Sequence, residues 1–187
     1  MLKFKLYTFA ILLSIITSKS YAQFFEIYQA VDVEKYQGKN FILEGKIFYM
    51  DDITNSSWAV LGARSINADG KQLKQTFYND NASDYFKKNE WSAYELSGKI
   101  EKGAKYLATS IAISGNDSYY LDDFKLFIKD GKNKIEIPLK NGDFETNTIL
   151  NWQSMGLDKN TSLALSKEKA YSGAQSLFID NSVFVYR

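Results

Sequence analysis

The 187-residue chain has no cysteine, no histidine and a single proline. Without histidine there is no Ser-His or Cys-His nucleophile pair, no imidazole metal ligand and no side chain that ordinarily titrates near neutral pH. Without cysteine there is no disulfide, no thiolate chemistry, no Cys-ligated zinc and no lipidated N-terminal cysteine. Carboxylates, Lys, Tyr and Ser remain for catalysis. Charge of one sign is also lacking: 23 basic side chains face 22 acidic ones, for a formal net charge of +1. Such balance leaves no basic footprint for nucleic acid and no polybasic stretch for anionic lipid. The chain is 45% apolar and 24% charged, a globular composition of a length suited to one domain or two small ones.

Long hydrophobic runs are scarce as well. The one candidate is Leu6 to Ile16, preceded by Lys3 and Lys5 and followed by Ser20-Tyr21-Ala22, which sets small residues at −3 and −1 of a cleavage site before Gln23. The run falls short of the roughly 18 apolar residues of a membrane span, so residues 1–22 read as a secretory signal peptide. Removing Lys3, Lys5 and Lys19 with it would take the net charge from +1 to −2. The expectation is export to the medium, the periplasm or the cell surface, with no membrane span.

What the chain does have is β patterning. Short apolar runs of period two alternate with Gly, Asn, Asp and Ser clusters, and Tyr and Phe each occur 13 times, residues suited to pleated, half-buried surfaces. The pattern predicts strands over 24–31, 41–50, 57–65, 73–78, 91–100, 106–114, 119–128, 134–139, 162–166, 175–180 and 183–186. Only 81–89 reads as irregular or briefly helical. This argues for an all-β chain folded as a two-sheet antiparallel β-sandwich. Alternation predicts Tyr120, Phe124, Leu126 and Ile128 on one buried face and Leu107, Ile111 and Ile113 on another. Leu43, Ile47, Val60, Tyr94, Leu96 and Leu177 complete the expected core.

Several segments carry a family resemblance. Asn141-Gly142-Asp143-Phe144-Glu145, then Asn151-Trp152, then Ala170-Tyr171-Ser172-Gly173-Ala174-Gln175-Ser176-Leu177, resembles the opening half of the galactose-binding-like jelly-roll sandwich of many carbohydrate-binding modules. Tyr119-Tyr120-Leu121-Asp122-Asp123-Phe124-Lys125-Leu126 is similar to its closing strand. Tyr36-Gln37-Gly38-Lys39 and Trp91-Ser92-Ala93-Tyr94 are further similar to the accessory modules of secreted Bacteroidetes hydrolases, including erythromycin-esterase-like proteins and processing-type serine peptidases. The family's order is reversed, since its opening elements come last here. Residues 23–187 are thus either one circularly permuted sandwich, or a module over 23–130 followed by the start of a truncated second module over 141–187.

The resemblance implies a non-catalytic carbohydrate-binding module whose partner is a glycan or cell-surface polymer. The alternatives are a protein-interaction or scaffold domain, and the N-terminal accessory part of a larger hydrolase. A sugar's apolar face stacks on aromatic rings while its hydroxyls take amide, guanidinium or carboxylate partners. Trp58, Arg64, Gln75, Tyr78 and Asn79 are the candidate ligand-binding residues, on strands or a strand end that would line one sheet. Trp91, Trp152, Tyr49, Tyr119 and Asn116 are weaker members. The resemblance also implies one structural Ca²⁺, held by Asp123, Asp143, Glu145 and a carbonyl at Ser172, because calcium takes six to eight oxygen ligands. No enzymatic activity is expected. Neighbouring carboxylates such as Asp51-Asp52 and Asp122-Asp123 point to opposite sides of a strand and cannot flank one glycosidic bond.

Overall fold

The computed structural model describes residues 24–50, 58–77, 89–115, 117–156 and 161–181. Within them lie eleven strands: β1 (Phe24–Asp32), β2 (Asn40–Tyr49), β3 (Trp58–Ile66), β4 (Gln72–Phe77), β5 (Trp91–Lys99), β6 (Tyr106–Ser114), β7 (Ser118–Asp130), β8 (Asn133–Ile137), β9 (Gln153–Met155), β10 (Ser162–Ser166) and β11 (Ser176–Asp180). A 3₁₀ turn over Glu34–Tyr36 is the one helical element among the described residues, and none of their helices is long and apolar enough to cross a membrane. The strands form two antiparallel sheets packed as a sandwich. The first has the order β4-β3-β6-β1-β9; the second runs β10-β11-β7-β2-β5, with β8 also on β7. Of the expected segments, 183–186, nearly all of the irregular stretch 81–89 and the terminal residues 57 and 78 of two strands lie outside the described residues.

Period-two alternation decides the inner faces. In the first sheet Phe25 and Ile27, Ala59, Leu61 and Ala63, and Leu107, Ile111 and Ile113 point inward; in the second, Leu43, Ile47, Tyr94, Leu96, Leu121, Leu126 and Ile128 meet them. Each large side chain so buried contributes about 1.5–3 kcal/mol before ordering entropy is subtracted. The edge strands carry the polar load, with Ala93, Glu95, Ser97 and Lys99 of β5 exposed, a pattern that discourages edge-to-edge association.

Two core expectations are corrected. Val60 is half-buried and faces outward, because Ala59 and Leu61 occupy the inner positions of β3. Tyr120 is buried on the outer face and does not share a side with Phe124. The cause is a β-bulge: Glu44 opposes Lys125 and Lys46 opposes Asp122, so Gly45 alone faces both Asp123 and Phe124. Asp123 takes the extra residue in a left-handed conformation, φ 52°. Tyr119 and Leu121 point inward before the bulge, Phe124, Leu126 and Ile128 after it, since one inserted residue inverts the alternation.

The bulge also divides one edge of β7 between two partners. β11 pairs with it from Ser118 to Leu121, and β8 from Leu126 to Asp130. Between them the Phe124 N–H donates to the Gly142 carbonyl at 2.8 Å. Residues 141–152 therefore enter the sandwich at the bulge, where Phe144 and Trp152 pack on Phe124 with ring centroids 6.0 and 5.8 Å away.

Candidate functional site

The outer face of the first sheet gathers three of the residues expected to bind ligand. Trp58 and Arg64 lie on β3 six residues apart, hence on the same side, and Gln75 of β4 stands directly opposite Arg64. Strand geometry spaces Trp58 and Arg64 by about 20 Å. Both Trp58 and Gln75 are half-buried. Tyr78 and Asn79 lie outside the described residues, as does Asn116.

The middle of this face is kept flat by small residues. Ala108, Ser110, Ala112 and Ser114 of β6 alternate outward, and Gly62 lies opposite Ser110. With no bulk in its path, the Arg64 side chain crosses β6 to β1, where its guanidinium sits 5.1 Å from the centroid of the Tyr28 ring. There Arg64 Nη1 donates to Glu26 Oε2. The Glu26 side chain is 1% exposed and that of Arg64 10%, so the pair is drawn almost fully out of water. Buried pairs cost strongly when one partner is removed. Glu26 Oε1 and Ser110 Oγ are buried without a hydrogen-bond partner among the described residues, each a cost of about 1–3 kcal/mol. Neither Glu26 nor Tyr28 was singled out from the sequence; they lie almost forty positions from Arg64, and nothing local marks the pairing.

The expected calcium residues stand at the junction where residues 141–145 and 170–175 meet the bulge. Asp122, buried on the outer side, accepts from the Asp123 N–H at Oδ1 (2.7 Å) and from the Tyr171 and Ser172 N–H groups at Oδ2 (2.8 and 3.0 Å). Burial raises the Asp122 carboxyl above its ordinary value, and these three donors offset part of that rise. Glu145 Oε1 accepts from Ala174 N–H and Gln175 N–H at 2.8 and 3.1 Å. Asp143 Oδ1 accepts from the Glu145 N–H at 3.3 Å. Asp123 pairs instead with Lys125 Nζ at 2.7 Å, which raises the Lys125 ammonium.

Among the described residues, no three acidic side chains converge on one point, and Asp123, Asp143 and Glu145 are not brought together. At Ser172 and Ala174 the groups turned to the carboxylates are N–H donors, whose positive ends repel a cation. This donor set fits capture of a loop by backbone amides and does not fit a calcium cage.

The remaining aromatics divide between core and outer face. Trp152 is buried against Phe144 and donates its indole N–H to the Asn141 carbonyl at 3.1 Å. Tyr49 and Tyr119 pack edge to face inside, 4.7 Å apart, and burial raises the Tyr49 phenol well above its usual range. Trp91 belongs to a row across the outer face of the second sheet: Trp91 to Phe48, Phe48 to Tyr120 and Tyr120 to Phe178, at 5.7, 6.0 and 4.8 Å. Tyr171, 47% exposed, closes it on Trp91 at 5.9 Å. The Tyr120 hydroxyl lies 3.0 Å from Glu168 Oε2, so the 167–173 loop lies over the row.

No protein-family model matches the chain, and no curated protein sequence matches it. Among solved structures it is similar to the enzymatically active domain of tailspike protein 4 of bacteriophage CBA120, with a TM-score of 0.43 and 16% identity over 56% of this chain. The likeness spans 14% of the length of that tailspike domain.

Proposed function

We propose that the protein is a non-catalytic carbohydrate-binding module, exported after removal of residues 1–22, which lays a glycan along the outer face of the first sheet. The observation that carries this reading is the shared face of Trp58, Arg64 and Gln75, flat in the middle and bordered by the Tyr28 ring. Half-buried rings suit the apolar faces of pyranose units, and the half-buried Gln75 amide supplies donors and an acceptor for hydroxyls, while Arg64, held on Glu26, fixes the floor of the face. A face about 20 Å long suits an oligosaccharide better than a single sugar. Turnover has no place in this reading: Asp122 is occupied by backbone donors and Asp123 by Lys125. Calcium has no part in this reading either, because Asp122 Oδ2 and Glu145 Oε1 accept backbone N–H groups and Asp123 faces Lys125.

Affinity electrophoresis and calorimetry against a panel of neutral and acidic polysaccharides test the proposal. Trp58→Ala should lower affinity for the bound polysaccharide about tenfold or more with the melting temperature within a few degrees of the wild type. If no polysaccharide binds, or if Trp58→Ala and Gln75→Ala bind as the parent does, the reading fails. The melting temperature should not move when Ca²⁺ replaces EGTA; a rise of several degrees would restore a structural calcium.

A further inference from the structure

The edge of β1 offers a second site, independent of the glycan reading. The Val33 N–H donates to the Lys105 carbonyl at 2.8 Å, in line with the β1–β6 register. Odd-numbered residues of β1 therefore turn their main-chain groups toward β6 and even-numbered ones toward the opposite edge. On that edge β9 faces only Glu26, Ile27 and Tyr28. Beyond it, Ala30 and Asp32 are exposed, and their main-chain N–H and C=O groups have no partner among the described residues. Rows of unpaired edge groups are templates for another strand.

The bare edge lines a groove of about 500 Å³, to which Pro138, Lys140 and Leu150 also contribute. Lys140 is fixed to β1, because the Gln29 side-chain amide donates to the Lys140 carbonyl at 2.9 Å and accepts the Lys140 N–H at 2.7 Å. Pro138 has no N–H to compete for the edge. Leu150 is 89% exposed at the rim. We infer that this groove takes an extended peptide of about four residues as an added antiparallel strand, hydrogen-bonded to Ala30 and Asp32.

Length and charge identify the occupant. Four extended residues span about 13 Å, the length of the bare edge from Gln29 to Asp32. The two charged side chains of the groove are Asp32 at one end and Lys140 beside Gln29 at the other, and Lys140 has no ion-pair partner among the described residues. An antiparallel strand therefore fits with a basic residue opposite Asp32 and an acidic residue three positions later. Main-chain pairing supplies the affinity and the two charges fix register and direction.

The probe is the capped hexapeptide acetyl-Val-Lys-Val-Thr-Glu-Val-amide, titrated into the full chain while amide exchange is followed by NMR. At saturation the Ala30 and Asp32 amides should slow about tenfold or more. Ala30→Pro removes one groove donor that the β-ladder does not use, and should abolish binding while the protein stays folded. Should that variant fail to fold, Lys140→Glu serves in its place: it should weaken this peptide at least fivefold and favour the version with Lys in place of Glu, which keeps a basic residue opposite Asp32. Binding that survives both changes, or no protection of Ala30 and Asp32 at millimolar peptide, overturns the inference. Protection that appears without peptide and grows with protein concentration also overturns it, in favour of a second copy.

Discussion

At the residue scale, the clearest measure of how local chemistry holds this fold is Asn141. It sits at φ 53°, a conformation tolerated by Asn better than by most residues. Its side chain bonds both ways within the loop, donating to the Thr148 carbonyl at 2.8 Å and accepting the Thr146 N–H at 2.9 Å. Asn141→Ala should cost about 2–3 kcal/mol, two hydrogen bonds plus the left-handed penalty, and urea unfolding checks it. Asn141→Gly should recover part of the loss. The Glu26–Arg64 pair makes a second prediction. Arg64→Met alone strands a buried carboxylate and should destabilise by about 3–5 kcal/mol, whereas the double change with Glu26→Met should cost clearly less; equal losses would show that the pair itself stabilises.

Asp122 adds a pH dependence at the same scale. Its folded carboxyl holds the proton more tightly than the ordinary value of 3.8, so the unfolded chain ionises first as pH rises. The stability contributed by this group is complete below that ordinary value and is lost as pH climbs through the raised folded one. The wild type should therefore lose more stability than Asp122→Asn over that interval. A variant curve that falls as steeply assigns the dependence to other groups.

Among the elements, β7 governs the arrangement, and it shows where sequence reading succeeds and where it stops. Strand positions were legible because alternation survives in short apolar runs: β6 and β10 have the expected bounds, and the other expected strands among the described residues differ by one or two residues at one or both ends. The three-residue β9 was too short to show a period. The inversion of β7 was hidden because the inserted residue is Asp123, in an otherwise regular YYLDDFKL pattern where a glycine would have marked the bulge. Gly45 is the counterpart across the pair; a methyl group there would sit 2.5 Å from the Phe124 ring. Gly45→Ala should push that ring off Phe144, cost about 1–3 kcal/mol, and speed amide exchange at Phe124 more than at Leu107.

For the candidate site, the face was legible from residue order and its chemistry was not. Trp58, Arg64 and Gln75 share a side by parity and register, both derivable from strand spacing. Glu26 and Tyr28 join them only through sheet order, since β6 lies between β1 and β3. The acidic residues of the NGDFE and DDF segments were equally visible, but whether a carboxylate faces a cation or a main-chain N–H depends on the path of 170–175.

For the whole molecule, the junction of the late and early parts of the chain is a source of cohesion. Phe144, Trp152, Leu177 and Ile179 belong to the same core as Phe25 and Leu43. Trp152→Ala should therefore cost about 3–5 kcal/mol and lower the one urea midpoint seen by both tryptophan fluorescence and far-UV circular dichroism. Separate midpoints for the two probes would mean that residues after 140 unfold on their own.

The order of strands in the first sheet also sets a timetable for synthesis. β1 leaves the ribosome first among the described strands, yet its neighbours are β6 and β9, with Phe24 opposite Ser114 and Glu26 opposite Met155. No described strand made before residue 106 is a neighbour of β1 in the finished sheet, and β9 reaches its second edge only from residue 153. A nascent chain stalled short of that point cannot finish the sheet, so the polypeptide stays unfinished, and pliable enough to thread, for most of its translation.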